Sequence, residues 1–391
     1  MRLFTRLVFV LCMAGFATNV TAQADSNLIR PLRIAVFAPV YIDSAFSFDN
    51  YKLGKANLPK YILPGLDFYN GVMMAVDSLN ADKAPVEVLF YDSKSAQHPL
   101  QQTIADAEFT NISLIIASFN TRTDVKPLAD YALTQNIPLI SATYPNDGGV
   151  TENPFFVMIN PRLNAHIEAI YRYLHRTYAA DNIIMFRKKG NIEDAIQAML
   201  MDMNKKTQGL PLKLKTIDLP ENFEAKQVTG YLDSTRQNIL LCGALDETFA
   251  RNLTRVLSNN KKYPVSVMGM PTWEGVKDIG KDLDIVYSTP YNPIRSDKLS
   301  QQLITKYRAK YSGRPSDMFF KGYESMYHFT KLLLKHGNNF INNLSDTDFT
   351  LFDEYDIQPV RANKESMEPD YFVNKKIYFV RKIDGKIRSV N

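Results

Sequence analysis

The stretch IPLISATYPNDGG, Ile137–Gly149, decides the fold. Ile137, Pro138, Leu139 and Ile140 read as a short buried strand. The run then passes into Ser141, Ala142, Thr143, Tyr144, Pro145, Asn146 and Asp147. A strand therefore ends in hydroxyls, an aromatic ring and turn formers. A turn alone accounts for Pro, Asn, Asp and Gly. One wall of a ligand cleft would also account for the hydroxyls and the ring. The order of the surrounding elements bears on the choice.

Upstream, RIAVFAP (33–39), VEVLFYD (86–92) and SLIIAS (113–118) read as strands. Between them, PGLDFYNGVMMAVDSLNAD (64–82) repeats apolar residues at three- and four-residue steps, the period of a helix. A helix around 98–108 and the helix VKPLADYALTQN (125–136) complete a β-α-β-α-β-α-β series. Apolar runs alternating with helices imply a parallel sheet covered on both faces. The rhythm restarts after NPFFVMINP (153–161). Helix 163–178 is followed by strands 182–187, 212–219, 238–242 and 265–269, with helices 192–207, 223–234 and 246–258 between them. DIVYSTPYN (284–292) and YDIQPV (355–360) read as extended connections around helices 296–311 and 316–336. KKIYFVRKIDGKIRSV reads as a hairpin turning at Asp384-Gly385.

The expected class is α/β, with two doubly wound parallel-sheet lobes joined by three hinge crossings. The expected division is 25–157 plus 291–348 for the first lobe and 158–290 plus 349–391 for the second. In such sheets ligands bind beyond the carboxyl ends of strands. The opening stretch lies at such an end, as do 118–123, 187–190, 243–247 and 270–274.

The chain of 391 residues begins with Arg2 and Arg6 before an apolar run and then small residues, the pattern of a secretory signal peptide over 1–24. No small-residue lipidation box precedes Cys12, so a periplasmic protein without a lipid anchor is expected. Cys242 would remain the only cysteine, which excludes an intrachain disulfide. Loss of Arg2 and Arg6 takes Lys+Arg from 46 to 44 against 41 acidic residues, a net charge near +3. That balance gives no support for nucleic acid as a partner.

With the loops placed, the chain resembles the type I periplasmic binding protein family, in its leucine, isoleucine and valine branch. The resemblance rests on RIAVFAPV, GLDFYNGVMMAVDSLN, ADYALTQNIPLISATYPN, VMGMPTWEG and IYFVRKIDGKI, in that order. It implies a solute-binding protein that captures a small polar metabolite between its lobes for an ABC permease or a sensor. It also implies that a ligand carboxylate meets hydroxyls and N–H groups at Asn120, Thr121, Arg122, Thr123, Ala142 and Thr143. Tyr144 reads either as cleft wall or as packing. Helix 124–136 opens with free N–H groups that favour an anion, although Thr123 or Asp124 could cap it instead.

The second lobe departs from the family's pattern. GMPTWEG places Met270, Pro271 and Thr272 where a carboxylate for the ligand's ammonium is expected, with Glu274 displaced. FRKKGNIED brings Arg187, Lys188 and Lys189 to a strand end. They form either a solvated turn or a site for an anionic ligand. Trp273 reads either as a cleft-mouth residue or as packing under its own lobe. The 41–63 segment exceeds a simple βα loop, as lids and partner surfaces often do.

An enzyme is not expected. There is no G-x-S-x-G, H-E-x-x-H, Walker A or G-x-G-x-x-G motif, so no cofactor is expected. Histidines 98, 166, 175, 328 and 336 lack metal spacing. The alternative role is a cell-envelope protein that uses the same fold to regulate wall-synthesis enzymes. A monomer, not stably inserted in a membrane, is expected in either case.

Overall fold

The structure is a computed structural model. It describes residues 30–390 except 49, 56, 277–279, 281, 363–365, 367 and 384–385, and gives Ile387 and Ser389 as backbone only. The expected signal peptide and the expected turn at Asp384-Gly385 lie outside the described residues.

The first sheet is built from β1 (Leu32–Ala38), β2 (Val86–Asp92), β3 (Ile112–Ala117), β4 (Leu139–Ser141) and β5 (Phe156–Met158). Its helices are α1 (Leu63–Ala81), α2 (Leu100–Ala105) and α3 (Val125–Gln135). The first five strands are parallel in the order β2-β1-β3-β4-β5. The chain then crosses and repeats the plan. In the second lobe α4 (Leu163–Tyr178), α5 (Asn191–Lys206), α6 (Ala225–Thr229) and α7 (Glu247–Ser258) alternate with strands. These are β6 (Asn182–Arg187), β7 (Lys213–Asp218), β8 (Asn238–Cys242), β9 (Val265–Gly269) and β10 (Asp284–Thr289), ordered β7-β6-β8-β9-β10. The interiors of β6, β8, β9 and β10 are buried on both faces, which is why those runs read as continuous, whereas the edge strand β7 is exposed or half-buried throughout.

After β10 the chain returns to the first lobe through α8 (Lys298–Tyr311) and α9 (Asp317–His336). The last segment corrects the expected division. β11 (Ile357–Val360) pairs antiparallel with β12 (Tyr371–Asn374), and β12 lies parallel to β5, so both extend the first sheet. Only β13 (Tyr378–Ile383) and β14 (Lys386–Val390) join the second sheet. Residues 349–374 therefore belong with the first lobe, and the third crossing falls between Asn374 and Tyr378. The packing agrees. Phe352 and Ile357 lie in one first-lobe core and Tyr371 and Val373 in the other, whereas Val380 lies in the second-lobe core.

Short polar links fasten the crossings to one another. Asn374 Nδ2 donates to the carbonyl of Ile159 at 3.0 Å, joining the third crossing to the first. Asn292 Nδ2 donates to the carbonyl of Phe352 at 2.9 Å, fixing the second crossing to the segment before β11. Buried N–H and C=O groups must find partners. Here asparagine side chains supply them where strand pairing stops.

Candidate functional site

Each sheet has a switch point, where the loops after two neighbouring strands leave in opposite directions. That is the position where doubly wound folds bind ligands. In the first lobe it lies between β1 and β3, and Tyr41 after β1 meets Asn120 after β3. Asn120 Nδ2 donates to Tyr41 OH at 2.7 Å. In the second lobe it lies between β6 and β8. There Lys188 and Asp246 form an ion pair at 2.8 Å.

The first-lobe loops converge as the sequence suggested. Thr143 Oγ1 lies 3.0 Å from Ser118 Oγ and donates to the carbonyl of Phe119 at 3.2 Å. The Thr143 carbonyl accepts from Asn160 Nδ2, which ties this loop to the first crossing. Ala142 is buried, and its N–H donates to Ala117 at 2.8 Å. The backbone N–H groups of Asn120, Thr121 and Thr143 have no acceptor among the described residues. Neither Thr121 nor Asp124 makes a side-chain cap at the start of the short 3-10 turn or of α3. Thr123 Oγ1 lies 3.2 Å from Thr121 Oγ1, so the expected alternative of Thr123 or Asp124 capping the helix is not adopted. Arg122 is exposed, and Tyr144 packs at the edge of the first-lobe core.

Sequence reasoning missed Lys94. It follows β2 by two residues, and its ammonium sits 3.0 Å from Thr121 Oγ1 and 2.7 Å from Asp124 Oδ2. The available signal was its place just beyond VEVLFYD, at a carboxyl strand end.

The turn in the opening stretch has a separate task. Asn146 and Asp147 accept the N–H groups of Gly148 and Gly149 at 2.9 and 3.0 Å, closing the turn. Asp147 Oδ2 also takes Tyr371 OH at 2.8 Å and Arg162 at 2.9 Å. Arg162 precedes α4 of the second lobe and Tyr371 lies on β12 of the first. One carboxylate thus joins the loop to the first crossing.

The basic cluster is largely neutralised within its own lobe. Arg187 is buried and reaches Asp218 at 2.7 Å and Asp194 at 2.5 Å. Burial works against its charge, but the bonds to Asp194 and Asp218 prevail and raise its pKa. The hydrogen bond between Lys188 and Asp246 raises the ammonium's pKa and lowers the carboxyl's. Asp246 also caps α7 by accepting the Phe249 N–H at 2.8 Å. Lys189 alone of the three is exposed without such a partner among the described residues. Two carboxylates engage Arg187 through Nε and one terminal nitrogen, which favours the structural alternative over the ligand contact.

Trp273 adopts the packed alternative. It is 1% exposed, and a Cβ on Gly269 would stand 2.4 Å from its indole. Glycine at 269 thus opens the slot that the ring fills, and the cleft-mouth placement is corrected. The indole N–H has no acceptor among the described residues.

Glu274 takes the position near the second crossing. Thr289 Oγ1 donates to Glu274 Oε2 at 2.8 Å. Burial, followed by the nearby charge of Asp317, pushes the Glu274 carboxyl up to about 8. A group whose folded pKa is raised gives stability that is full below its unfolded pKa and is lost as pH rises through the folded one. Wild-type stability should therefore decline between about pH 5 and pH 8 through this group. Glu274→Gln, which mimics the protonated form, is expected to raise stability near pH 8.5 by on the order of 1–2 kcal/mol and to leave it unchanged near pH 4. Thermal melts at the two pH values check this; equal effects at both would remove Glu274 as the titrating group.

Cys242 is buried, with its thiol pKa raised by desolvation. Among the described residues no group of His, Cys, Asp and Glu has metal-binding geometry. No helix among them is long and apolar enough to cross a membrane.

Two doubly wound lobes, each with a switch point where loops gather, joined by three bonded crossings, are the architecture of a hinged binding protein. Residues 62–381 match the family described as periplasmic binding protein, and the chain belongs to that family. Sequence comparison with curated proteins gives no match. The fold is similar to the substrate-binding protein LivJ of Streptococcus pneumoniae, solved with isoleucine, at 15% identity and a TM-score of 0.51, covering 92% of this chain and 99% of that one. It is also similar to an ABC transporter substrate-binding protein of Desulfitobacterium hafniense, solved with Leu, at 12% identity and a TM-score of 0.57, covering 92% and 100%. A third, an ABC transporter substrate-binding protein of Sphaerobacter thermophilus, gives 13% identity and a TM-score of 0.59, covering 92% and 96%.

Proposed function

We propose that this chain is an extracytoplasmic receptor that closes its lobes on a small amino-acid-like solute and delivers it to an ABC permease. One observation carries the reading. The hydroxyl of Thr143 and the unengaged N–H groups of Asn120, Thr121 and Thr143 gather at the first-lobe switch point. Oriented N–H groups at such a place suit a carboxylate. A strongly anionic solute is the weaker reading, because Arg187 and Lys188 already hold carboxylates. The role as a regulator of wall-synthesis enzymes has no support from the site or the comparisons. The protein is proposed to be exported by cleavage of residues 1–24, to act as a monomer without a lipid anchor, and to catalyse no reaction.

Calorimetric titration of the mature chain with L-leucine, L-isoleucine and other α-amino acids tests the proposal. One or more should bind at a single site. Thr143→Ala should weaken that binding by about 1–2 kcal/mol, with the melting temperature nearly unchanged. If no amino acid binds, while a dicarboxylate binds and loses affinity in Lys188→Ala and Lys189→Ala, the solute is an anion.

A further inference from the structure

The segment after β1 makes a roof over the edge of the first sheet. It comprises a one-turn helix, Ile42–Ala45, and a small hairpin of Phe46–Ser47 with Asn50–Tyr51. Two carboxylates clamp it to the loop after β2. Asp92 accepts the N–H groups of Val40, Tyr41 and Ile42 at 3.0, 3.1 and 2.8 Å. Asp43 accepts Ser95 Oγ at 2.9 Å and the N–H groups of Ala96 and Gln97 at 2.7 and 3.3 Å. Tyr41 is held in the left-handed region at φ 54, a costly conformation for a bulky residue that its surroundings must impose.

Beneath this roof lies a cavity of about 370 Å³. Ala45, Phe46 and Leu58 line it from the roof, Leu66 and Tyr69 from α1, and Phe90 from β2. No charged side chain lines it, and it shares no lining residue with the loops at 118–123 and 142–144. Two of its walls also face water: Ile42 is 51% and Phe46 39% exposed. An apolar pocket with one side open to solvent leaves its walls short of dispersion contacts. A folded chain would close it by collapse unless the roof were fastened, and here the roof is fastened at six donors. The volume falls within the range of small-molecule sites, which are concave and mostly apolar.

We propose that this cavity is a second binding site, for a small uncharged apolar molecule of aromatic or branched aliphatic character. The occupant fills the space between Leu66, Tyr69 and Phe90 and covers the exposed faces of Ile42 and Phe46. The site is independent of the solute cleft, so it stands or falls separately from the proposed transport role.

The test is fluorescence titration of the mature full-length chain with N-phenyl-1-naphthylamine, an uncharged probe that brightens in apolar surroundings. Saturable binding at one site is expected. Leu66→Trp, which fills the cavity from α1, should weaken binding at least tenfold. Leu58→Trp, which fills it from the roof, should do the same and guards against misfolding of the helix variant; circular dichroism confirms that each is folded. Phe48→Ser, at the 94% exposed hairpin tip, should change binding less than twofold. Absence of saturable binding overturns the proposal. So does loss of binding in Phe48→Ser with both tryptophan variants unaffected, which would make the hairpin tip a surface for a macromolecular partner.

Discussion

Replacing Lys321 with alanine is expected to lower stability by about 3–5 kcal/mol at neutral pH, the loss typical when one partner of a buried ion pair is removed. Lys321 is 1% exposed, and its ammonium lies 2.6 Å from Asp353 Oδ2. The rings of Tyr291 and Tyr355 stand 5.4 and 5.7 Å from the same ammonium. Glu324, one turn further along α9, accepts the N–H groups of Leu351, Phe352 and Asp353 at 3.2, 3.0 and 3.1 Å. Asp353 accepts the Asn292 N–H at 2.8 Å. The lysine thus neutralises a buried acidic pair that fastens the second crossing and the approach to β11 onto α9. Without it, two carboxylates face each other out of water.

The pH dependence identifies the cause. Burial, reinforced by the charge of Asp353, pushes the Glu324 carboxyl up to about 7. Burial would raise Asp353 too, but Lys321 holds it below its ordinary value. Glu324 therefore contributes stability that is complete below about pH 4.5 and is lost as pH rises through about 7. Removing Lys321 raises Glu324 further, so the deficit of Lys321→Ala should be smaller near pH 5.5 than near pH 8. Urea unfolding at both pH values measures this. Lys321→Met with Asp353→Leu should recover much of the loss, because an apolar pair leaves no stranded charge. A single-variant loss below about 1 kcal/mol, equal at both pH values, would mean that water reaches the cluster and the pair is effectively on the surface.

The sequence made the sheets legible because their central strands are buried on both faces. RIAVFAP and NILLC admit no other reading once helices of period 3.6 lie between them. The third crossing was not legible. YDIQPV and YFVN carry β-type residues, but nothing local says which of two sheets an added strand will join; β12 finds its place beside β5, more than 200 positions away. The same limit governs the site. Thr143 and Asn120 could be placed because a strand end alone positions them. The role of Arg187 was left open because its partner Asp218 is set by the parallel register of β6 on β7, a tertiary fact. The choice between the two readings of Trp273 was not legible, although its cause is only four residues away. Gly269 leaves the space that the indole occupies, and a glycine ending a strand also has blander explanations.

Gly322→Ala is expected to cost about 3 kcal/mol or more, against the usual preference for alanine in helices. A glycine in an exposed helix interior is worse than alanine by roughly 0.8–1.0 kcal/mol, so propensity alone predicts stabilisation. The contact between α1 and α9 reverses the sign. A Cβ on Gly322 would stand 2.2 Å from the carbonyl oxygen of Phe68, and one on Gly71 would stand 2.0 Å from that of Phe319. Each glycine thus receives the backbone of the opposite helix. No side chain can rotate away from such a clash, so the helices themselves must part. Parting them disturbs the contact of Ser78 Oγ with Tyr323 OH, now 2.8 Å apart, and the hold of Tyr327 and Lys331 on Asp82 at 2.9 and 3.1 Å. Gly313→Ala is the control. A Cβ there meets nothing closer than 3.7 Å, so it should be neutral or stabilising by about 0.4–1 kcal/mol. Urea unfolding of both variants compares the two terms directly. The shift should also reach the hinge, because α9 carries Lys321 and Glu324 against the crossings; solute affinity should then fall in Gly322→Ala even at temperatures where it remains folded. Gly322→Ala within 0.5 kcal/mol of wild type would show that the two helices slide past each other without needing the close approach.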